Sequence, residues 1–118
     1  KVTASLPPTR GYSRVLESKH PYDDNEDVYT EVSFPGARKL KLVFDKRSAT
    51  EHDCDYVFIY KDNSRTEKWG TKYTGRVDGN DKVWPGVNLP PLIVESDHCV
   101  VYFHSDGSNT DWGYHLTV

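Results

Sequence analysis

The chain has 118 residues, of which 36% are hydrophobic, and this length suits one domain with a single core. Its 15 basic and 18 acidic residues give a formal net charge of -3, which disfavours a nucleic-acid partner because phosphate binding depends on a dense cationic face. No apolar run approaches the roughly 20 residues that a membrane-spanning helix needs, so we expect no membrane span.

Apolar and polar residues alternate along much of the chain, and this period of two predicts strands rather than helices. The clearest case is residues 40–44, where Leu40, Leu42 and Phe44 predict one buried face. The run DYVFIY at residues 55–60 is apolar on both faces, as in a central strand. In chain order, the predicted strands cover residues 12–16, 29–34, 40–44, 55–60, 90–94, 99–103 and 114–118.

The stretch 62–88 is polar and contains several glycines, which predicts long loops around one or two short strands. Short strands at this spacing are typical of an all-β protein, either a sandwich or a barrel. We expect this β domain to cover residues 12–118 and to follow an N-terminal extension at residues 1–11. Because the chain begins with lysine rather than methionine, we also expect neighbouring domains of a larger chain.

Oxygen-bearing side chains cluster in two of the predicted loops. One cluster precedes a central strand and the other follows a later strand; their members are Glu51, Asp53, Asp55, Asp106, Ser108 and Asn109. Alternate loops of a sandwich return to the same end, so the two clusters can meet. Carboxylates brought together without a cation repel one another, and calcium, which takes about six to eight oxygen ligands, removes that cost. The alternative is ordinary turn chemistry, in which Asp, Asn and Ser bond to their own backbone.

Several sequence blocks, in this order and at this spacing, resemble the CUB domain, an antiparallel β-sandwich of the jelly-roll kind, and in particular its calcium-binding type. They span most of the chain and are SKHPY at 18–22, VSFPG at 32–36, LKLVFD at 40–45, DYVFIY at 55–60, YTG at 73–75, PPLI at 90–93, VYFHSD at 101–106 and GY at 113–114. The resemblance implies that calcium is the cofactor. It also implies calcium ligands from Asp55, Asp106, Ser108 and Asn109, since the loop DGSN at 106–109 matches the family's Asp-x-Ser-Asn loop.

The remaining calcium ligand of the family is a glutamate, and its position here is displaced. Counting along the chain places Arg47 at that position, so we expect Glu51, the nearest acid, to replace the glutamate, with Asp45 and Asp53 as alternatives. Tyr22 resembles the family tyrosine that supports the metal-bound carboxylates.

The cysteines depart from the family pattern. Val28, His52 and Thr74 stand where the family has cysteines, and only Cys54 and Cys99 are present. We therefore expect two free thiols rather than a disulfide, because Cys99 belongs to a buried strand. This fits the disulfide-poor CUB-like modules of large intracellular ubiquitin-ligase or zinc-finger proteins, which the sequence resembles. We expect a cytoplasmic location, with an extracellular one as the alternative.

The resemblance implies a non-catalytic protein-interaction module that binds calcium. In this hypothesis Tyr22, Glu51, Asp55 and Asp106 form the partner-binding site, where calcium-oriented carboxylates receive an exposed Lys or Arg of a protein ligand. We expect no enzyme, because the chain lacks phosphate-binding, dinucleotide-binding and Gly-x-Ser-x-Gly motifs.

Three other functions fit parts of the sequence. A carbohydrate-binding module would use calcium to brace a sugar platform of Trp69 or Trp84. A purely structural domain of a large scaffold protein would need no ligand. A zinc site would require four side chains to converge, namely His52, Cys54, His98 and Cys99.

Overall fold

The computed structural model describes residues 13–76 and 84–118, and within these ranges the chain forms strands and loops without a helix. The strands are β1 (Val15–Glu17), β2 (Asp27–Ser33), β3 (Leu40–Phe44), β4 (Tyr56–Tyr60), β5 (Lys68–Tyr73), β6 (Leu92–Val94), β7 (His98–His104) and β8 (His115–Thr117). In the described part of the chain, no helix has the length and apolarity that a membrane span requires. The predicted extension at residues 1–11 lies outside the described residues.

The strands form two four-stranded antiparallel sheets, which confirms the predicted all-β sandwich. One sheet has the order β1-β8-β3-β6 and the other has the order β2-β7-β4-β5. Strand β4 lies inside its sheet, between β7 and β5, as the sequence DYVFIY predicts. In the described part of the stretch 62–88, the structure has one strand, β5. This strand lies at the edge of its sheet.

The core lies between the two sheets and consists of inward-facing side chains of the strands together with loop residues such as Tyr22 and Trp84. Leu42, Val57, Ile59, Trp84 and Leu116 are completely shielded from solvent. Burial of a large apolar side chain of this kind stabilises the fold by about 1.5–3 kcal/mol. Inward residues of β4 alternate with half-buried aromatic residues on its outer side, so only one face of this strand reaches the core.

The buried position of Trp84 corrects the idea that it forms part of a sugar platform. Its indole N–H donates a hydrogen bond to the carbonyl oxygen of Gly75 at 3.1 Å, so the ring anchors a loop to the core. Trp69 is partly buried against the same core. Neither indole presents a fully open ring on which a sugar could stack.

Candidate functional site

Three loops meet at one end of the sandwich, and backbone hydrogen bonds hold them together. The loop before β2 contacts the loop after β7, because the Asn25 amide donates to the Asp106 carbonyl at 2.8 Å. The Glu26 amide donates to Ser105 Oγ at 2.8 Å, and that hydroxyl donates to the Asp23 carbonyl at 2.7 Å. The loop between β3 and β4 completes the group. The predicted meeting of the acidic loops is therefore present in the fold.

Asp55 lies at the centre of these loops and is completely buried. Its Oδ2 accepts a hydrogen bond from the Tyr22 hydroxyl at 2.6 Å, and its Oδ1 accepts one from the Asp106 amide at 2.8 Å. Burial raises the pKa of Asp55, and the negative charges of Asp106 and Glu51 act in the same direction, against the two hydrogen bonds. A buried carboxylate held in this way favours a nearby cation.

Glu51 has one satisfied and one unsatisfied carboxylate oxygen. Its Oε2 accepts a hydrogen bond from Asn109 Nδ2 at 2.9 Å, and its backbone amide donates to the Tyr22 hydroxyl at 3.1 Å. Its Oε1 is buried and has no hydrogen-bond partner. An unpaired buried carboxylate oxygen is costly, so this atom marks a place where a cation would stabilise the folded state.

The carboxylates of Glu51 and Asp106 approach the thiol of Cys54. One oxygen of each and the sulfur all lie within 4.8 Å of one another. Cys54 is exposed as a residue, but partial desolvation of its thiol and the charges of Glu51 and Asp106 raise the pKa of the thiol. Among residues 13–76 and 84–118 this is the one cluster of three or more His, Cys, Asp or Glu side chains placed to share an ion. The zinc grouping of His52, Cys54, His98 and Cys99 is absent from that part of the chain.

Two buried threonines fix the backbone that carries Glu51 and Asp55. Thr50 Oγ1 and Thr74 Oγ1 both donate to the Asp55 carbonyl, at 2.8 and 2.7 Å. Thr74 also accepts a hydrogen bond from the Asp53 amide at 2.9 Å. The sequence indicates Thr74 only as a residue that stands in place of a cysteine, and this positioning role depends on contacts that the sequence pattern does not show.

The predicted site residues divide into two groups. Glu51, Asp55, Asp106 and Asn109 come together, and Tyr22 donates a hydrogen bond to Asp55. Ser108 is exposed, and its backbone amide donates to Asp106 Oδ1 at 3.2 Å. The structure therefore gives Ser108 a backbone contact with Asp106 in the loop.

The alternatives to Glu51 point to other partners. Asp45 pairs with Arg47 at 2.9 Å, and this pair holds the pKa of Asp45 at about 2. Asp53 is exposed, with His52 Nε2 at 3.5 Å and Lys72 Nζ at 4.0 Å from its oxygens. Both carboxylates are thus engaged away from Asp55. Cys54 and Cys99 are free thiols, as the sequence predicts.

Comparison with known proteins shows similarity to short segments of much longer chains. No protein-family model matches the sequence. The human protein named zinc finger ZZ-type and EF-hand domain-containing protein 1 is 34% identical over 105 residues, which cover 89% of this chain and 3% of that relative. The human E3 ubiquitin-protein ligase HERC2 is 27% identical over 113 residues, covering 88% of this chain and 2% of the ligase.

A third relative has the same character. The human protein named probable E3 ubiquitin-protein ligase HECTD4 is 31% identical over 133 residues, covering 96% of this chain and 3% of the relative. The chain thus spans only about 2 to 3% of the curated relatives that it matches. Its similarity concerns one domain-sized segment of each.

Proposed function

We propose that this domain is a non-catalytic, calcium-binding protein-interaction module of the CUB type. The observation that carries the proposal is the buried Oε1 of Glu51, which lacks a hydrogen-bond partner and belongs to the cluster that contains Asp106. Glu51 also stands beside Asp55, whose pKa is raised by burial. A cation would neutralise the carboxylates of Glu51, Asp55 and Asp106. Among the described residues, no lysine or arginine forms a salt bridge with any of these three.

The donor set fits calcium better than it fits zinc. Glu51, Asp55, Asp106 and Asn109 offer carboxylate and amide oxygens, the ligands that calcium prefers. Zinc favours imidazole and thiolate ligands, and Cys54 is the one soft ligand in the cluster. Calcium would supply charge neutralisation and would orient the carboxylates. In this assignment Cys54 is a neighbour of the ion rather than one of its ligands.

A calcium-loaded cluster would leave carboxylate oxygens available to a basic side chain of a partner. Tyr22, Glu51, Asp55 and Asp106 form this partner-binding site in the proposal. A charge-assisted hydrogen bond from a Lys or Arg to such an oxygen contributes about 1.5–3 kcal/mol. Binding would therefore weaken at high salt and in the presence of a chelator.

The similarity to segments of two proteins named as ubiquitin ligases supports a setting within a larger chain. In that setting the domain would recruit a protein ligand while other parts of the chain carry any catalytic activity. A cytoplasmic location belongs to the same proposal, and the two free cysteines support it because disulfides are rare in that compartment.

Calcium titration calorimetry on the 118-residue chain tests the metal site directly. We expect saturable binding to the wild type and none to Asp106→Ala or Glu51→Gln. Asp53→Asn is the matched control, because Asp53 belongs to the same loop but has Lys72 and His52 as its neighbours. Cys54→Ser should retain calcium binding, whereas loss of binding in this variant would favour a softer ion.

Thermal unfolding provides an independent measurement of the same site. At a calcium concentration about 100 times the Kd, the folded state gains about 2.7 kcal/mol, and a chelator should remove this gain. Unchanged melting with and without the chelator would refute the calcium site. A lysine-containing peptide that is captured in calcium and released by the chelator would support the partner-binding role.

A further inference from the structure

The solvent-facing side of the sheet β2-β7-β4-β5 carries five aromatic residues in contact, which we call the aromatic face. Its members are Tyr29, Tyr56, Phe58, Tyr60 and Tyr102. Strand pairing sets Tyr102 opposite both Tyr29 and Phe58, so the rings cross three adjacent strands. Tyr29 and Tyr102 stack with their ring centroids 4.3 Å apart. The pattern follows from the period of two, because every second residue of β4 faces away from the core.

Four of the five rings of the aromatic face remain partly open to solvent, whereas Tyr102 at its centre is buried. Tyr29 is 38% exposed, and the three aromatic residues of β4 are half-buried. By contrast, β3 in the opposite sheet exposes Lys41, a charged residue of the kind that is usual on the solvent-facing side of a strand. Tyr is among the residues enriched at protein interfaces, because it offers a large rigid surface at a low entropic cost.

Three basic side chains lie across these rings. The guanidinium carbon of Arg65 lies 3.5 Å from the centroid of Tyr29, and Lys68 Nζ lies 4.7 Å from that of Phe58. Lys72 Nζ lies 4.8 Å from the ring of Tyr56. Among the described residues, Arg65 and Lys68 form no salt bridge with a carboxylate. The rings therefore hold Arg65 and Lys68 in place, and the charges of these two side chains are available to an acidic ligand.

The size of the aromatic face favours a short linear ligand over a globular one. Four residue steps along β4 span about 13 Å, and the three strands cover about 10 Å across. A globular partner normally covers about 800 Å² on each side, several times the area of this face. An extended segment of a few residues matches its dimensions.

The charge distribution favours a peptide over a nucleic acid. The β2 side of the same sheet face carries Asp27 and Glu31 on either side of Tyr29, whose ring the guanidinium of Arg65 covers, whereas Lys68 lies over Phe58 of β4. A phosphate backbone is negative at every step and would meet these carboxylates, whereas a peptide can place discrete acidic residues near the cations alone. The net charge of -3 acts in the same direction.

We propose that the aromatic face is a docking surface for an extended acidic segment of a partner protein, which contacts the rings of Tyr29 and Phe58 and the cations Arg65 and Lys68. This surface lies on the flat of one sheet, whereas the acidic loops lie at the end of the sandwich. In the two proposals together, the acidic loops bind a basic side chain and the aromatic face binds an acidic segment. The inference does not rest on calcium binding.

Fluorescence anisotropy with a labelled glutamate–proline repeat peptide, in buffer with chelator, tests the proposal. Proline keeps the peptide extended and supplies flat apolar rings. We expect saturable binding that weakens with salt. Phe58→Thr should weaken it at least about five-fold, as for a residue at the centre of an interface. Lys68→Gln and Arg65→Gln should each weaken it about two- to five-fold.

Two variants of the opposite sheet serve as matched controls. Ile93→Thr removes an exposed apolar side chain and Lys41→Gln removes an exposed charge, and neither should change the affinity. Absence of saturable binding would overturn the proposal, as would equal binding of a lysine–proline repeat. Tighter binding of an oligouridylate than of the acidic peptide would assign the face to nucleic acid instead. Binding that occurs in calcium and disappears in chelator would place the contact at the acidic loops and would also overturn the proposal.

Discussion

The hydroxyl of Tyr22 is the most informative single group at the acidic end of the sandwich. It donates to Asp55 Oδ2 at 2.6 Å and accepts from the Glu51 amide at 3.1 Å. Burial and the hydrogen bond to Asp55 raise the pKa of Tyr22, so the hydroxyl remains protonated and donates. Tyr22→Phe would remove both hydrogen bonds and would preserve the edge contact with Phe103, whose ring centroid lies 5.0 Å away.

The expected cost follows from the groups left without a partner. A hydrogen bond to a charged group contributes about 1.5–3 kcal/mol, and the Glu51 amide also loses its acceptor. We therefore expect Tyr22→Phe to lower the free energy of unfolding by about 2–3 kcal/mol. For a chain of 118 residues, about 1 kcal/mol corresponds to about 4 °C in Tm, so the loss is about 8–12 °C.

Urea denaturation in chelator, followed by tryptophan fluorescence, measures this change without a contribution from bound cations. Tyr60→Phe is the matched control, because Tyr60 is half-buried on the aromatic face and should change stability by less than about 0.5 kcal/mol. A loss below about 0.5 kcal/mol in Tyr22→Phe would refute the buried hydrogen bond. In calcium, the same variant should weaken ion binding about ten-fold or more, as for other residues that orient a metal ligand.

Three further predictions concern the loops and the thiols. Because burial raises the pKa of Asp55 above its value in the unfolded chain, wild-type stability in chelator should fall relative to Asp55→Asn as the pH rises through the folded-state pKa, which urea denaturation across a pH series would detect. Gly113→Ala should cost about 2 kcal/mol or more in thermal unfolding, since φ is +102° and the added Cβ would lie 1.9 Å from Ser18 Oγ. A thiol reagent should label Cys54 alone in the native protein and both cysteines after denaturation, because Cys99 is buried and its pKa is raised to about 11; native labelling of Cys99 would contradict its position in the core.

The sequence predicts the sandwich because the period-two pattern depends only on which face of a strand is buried. This rule locates β3, whereas β4 and β7 are predictable because each is a continuous apolar run, as expected for strands inside a sheet. The period-two rule fails to delimit β5, whose sequence KWGTKY alternates poorly. Gly70 has a φ of +72°, and the register between β4 and β5 shifts between Val57 and Ile59. An irregularity of this kind interrupts the alternation of buried and exposed side chains. The bounds of β5 therefore become clear only from its hydrogen-bonded pairing with β4.

In the candidate site, too, residues next to a strand are predictable from the sequence, whereas residues placed by contacts between loops are not. Asp55 and Asp106 are predictable because each adjoins a strong strand whose end fixes its place. Glu51 is harder to predict, because counting residues through a shortened loop places Arg47 at the position of the acid. In the structure Arg47 turns toward Asp45 and lies over the ring of Trp112, whereas the carboxylate of Glu51 lies near that of Asp106. The approach of the Cys54 thiol to Asp106 is likewise non-local, because it depends on how the two loops meet.

The two hydrogen bonds that Asp55 accepts join parts of the chain that are far apart in sequence. One partner lies 33 residues away and the other lies 51 residues away. These bonds act as a non-covalent staple in a molecule whose cysteines are unpaired. Local fraying cannot release such a closure without opening the loops on both sides. We therefore expect the Asp106 amide proton to exchange with deuterium as slowly as the most protected amides of β7. Exchange at this loop residue would then report the opening of the entire sandwich.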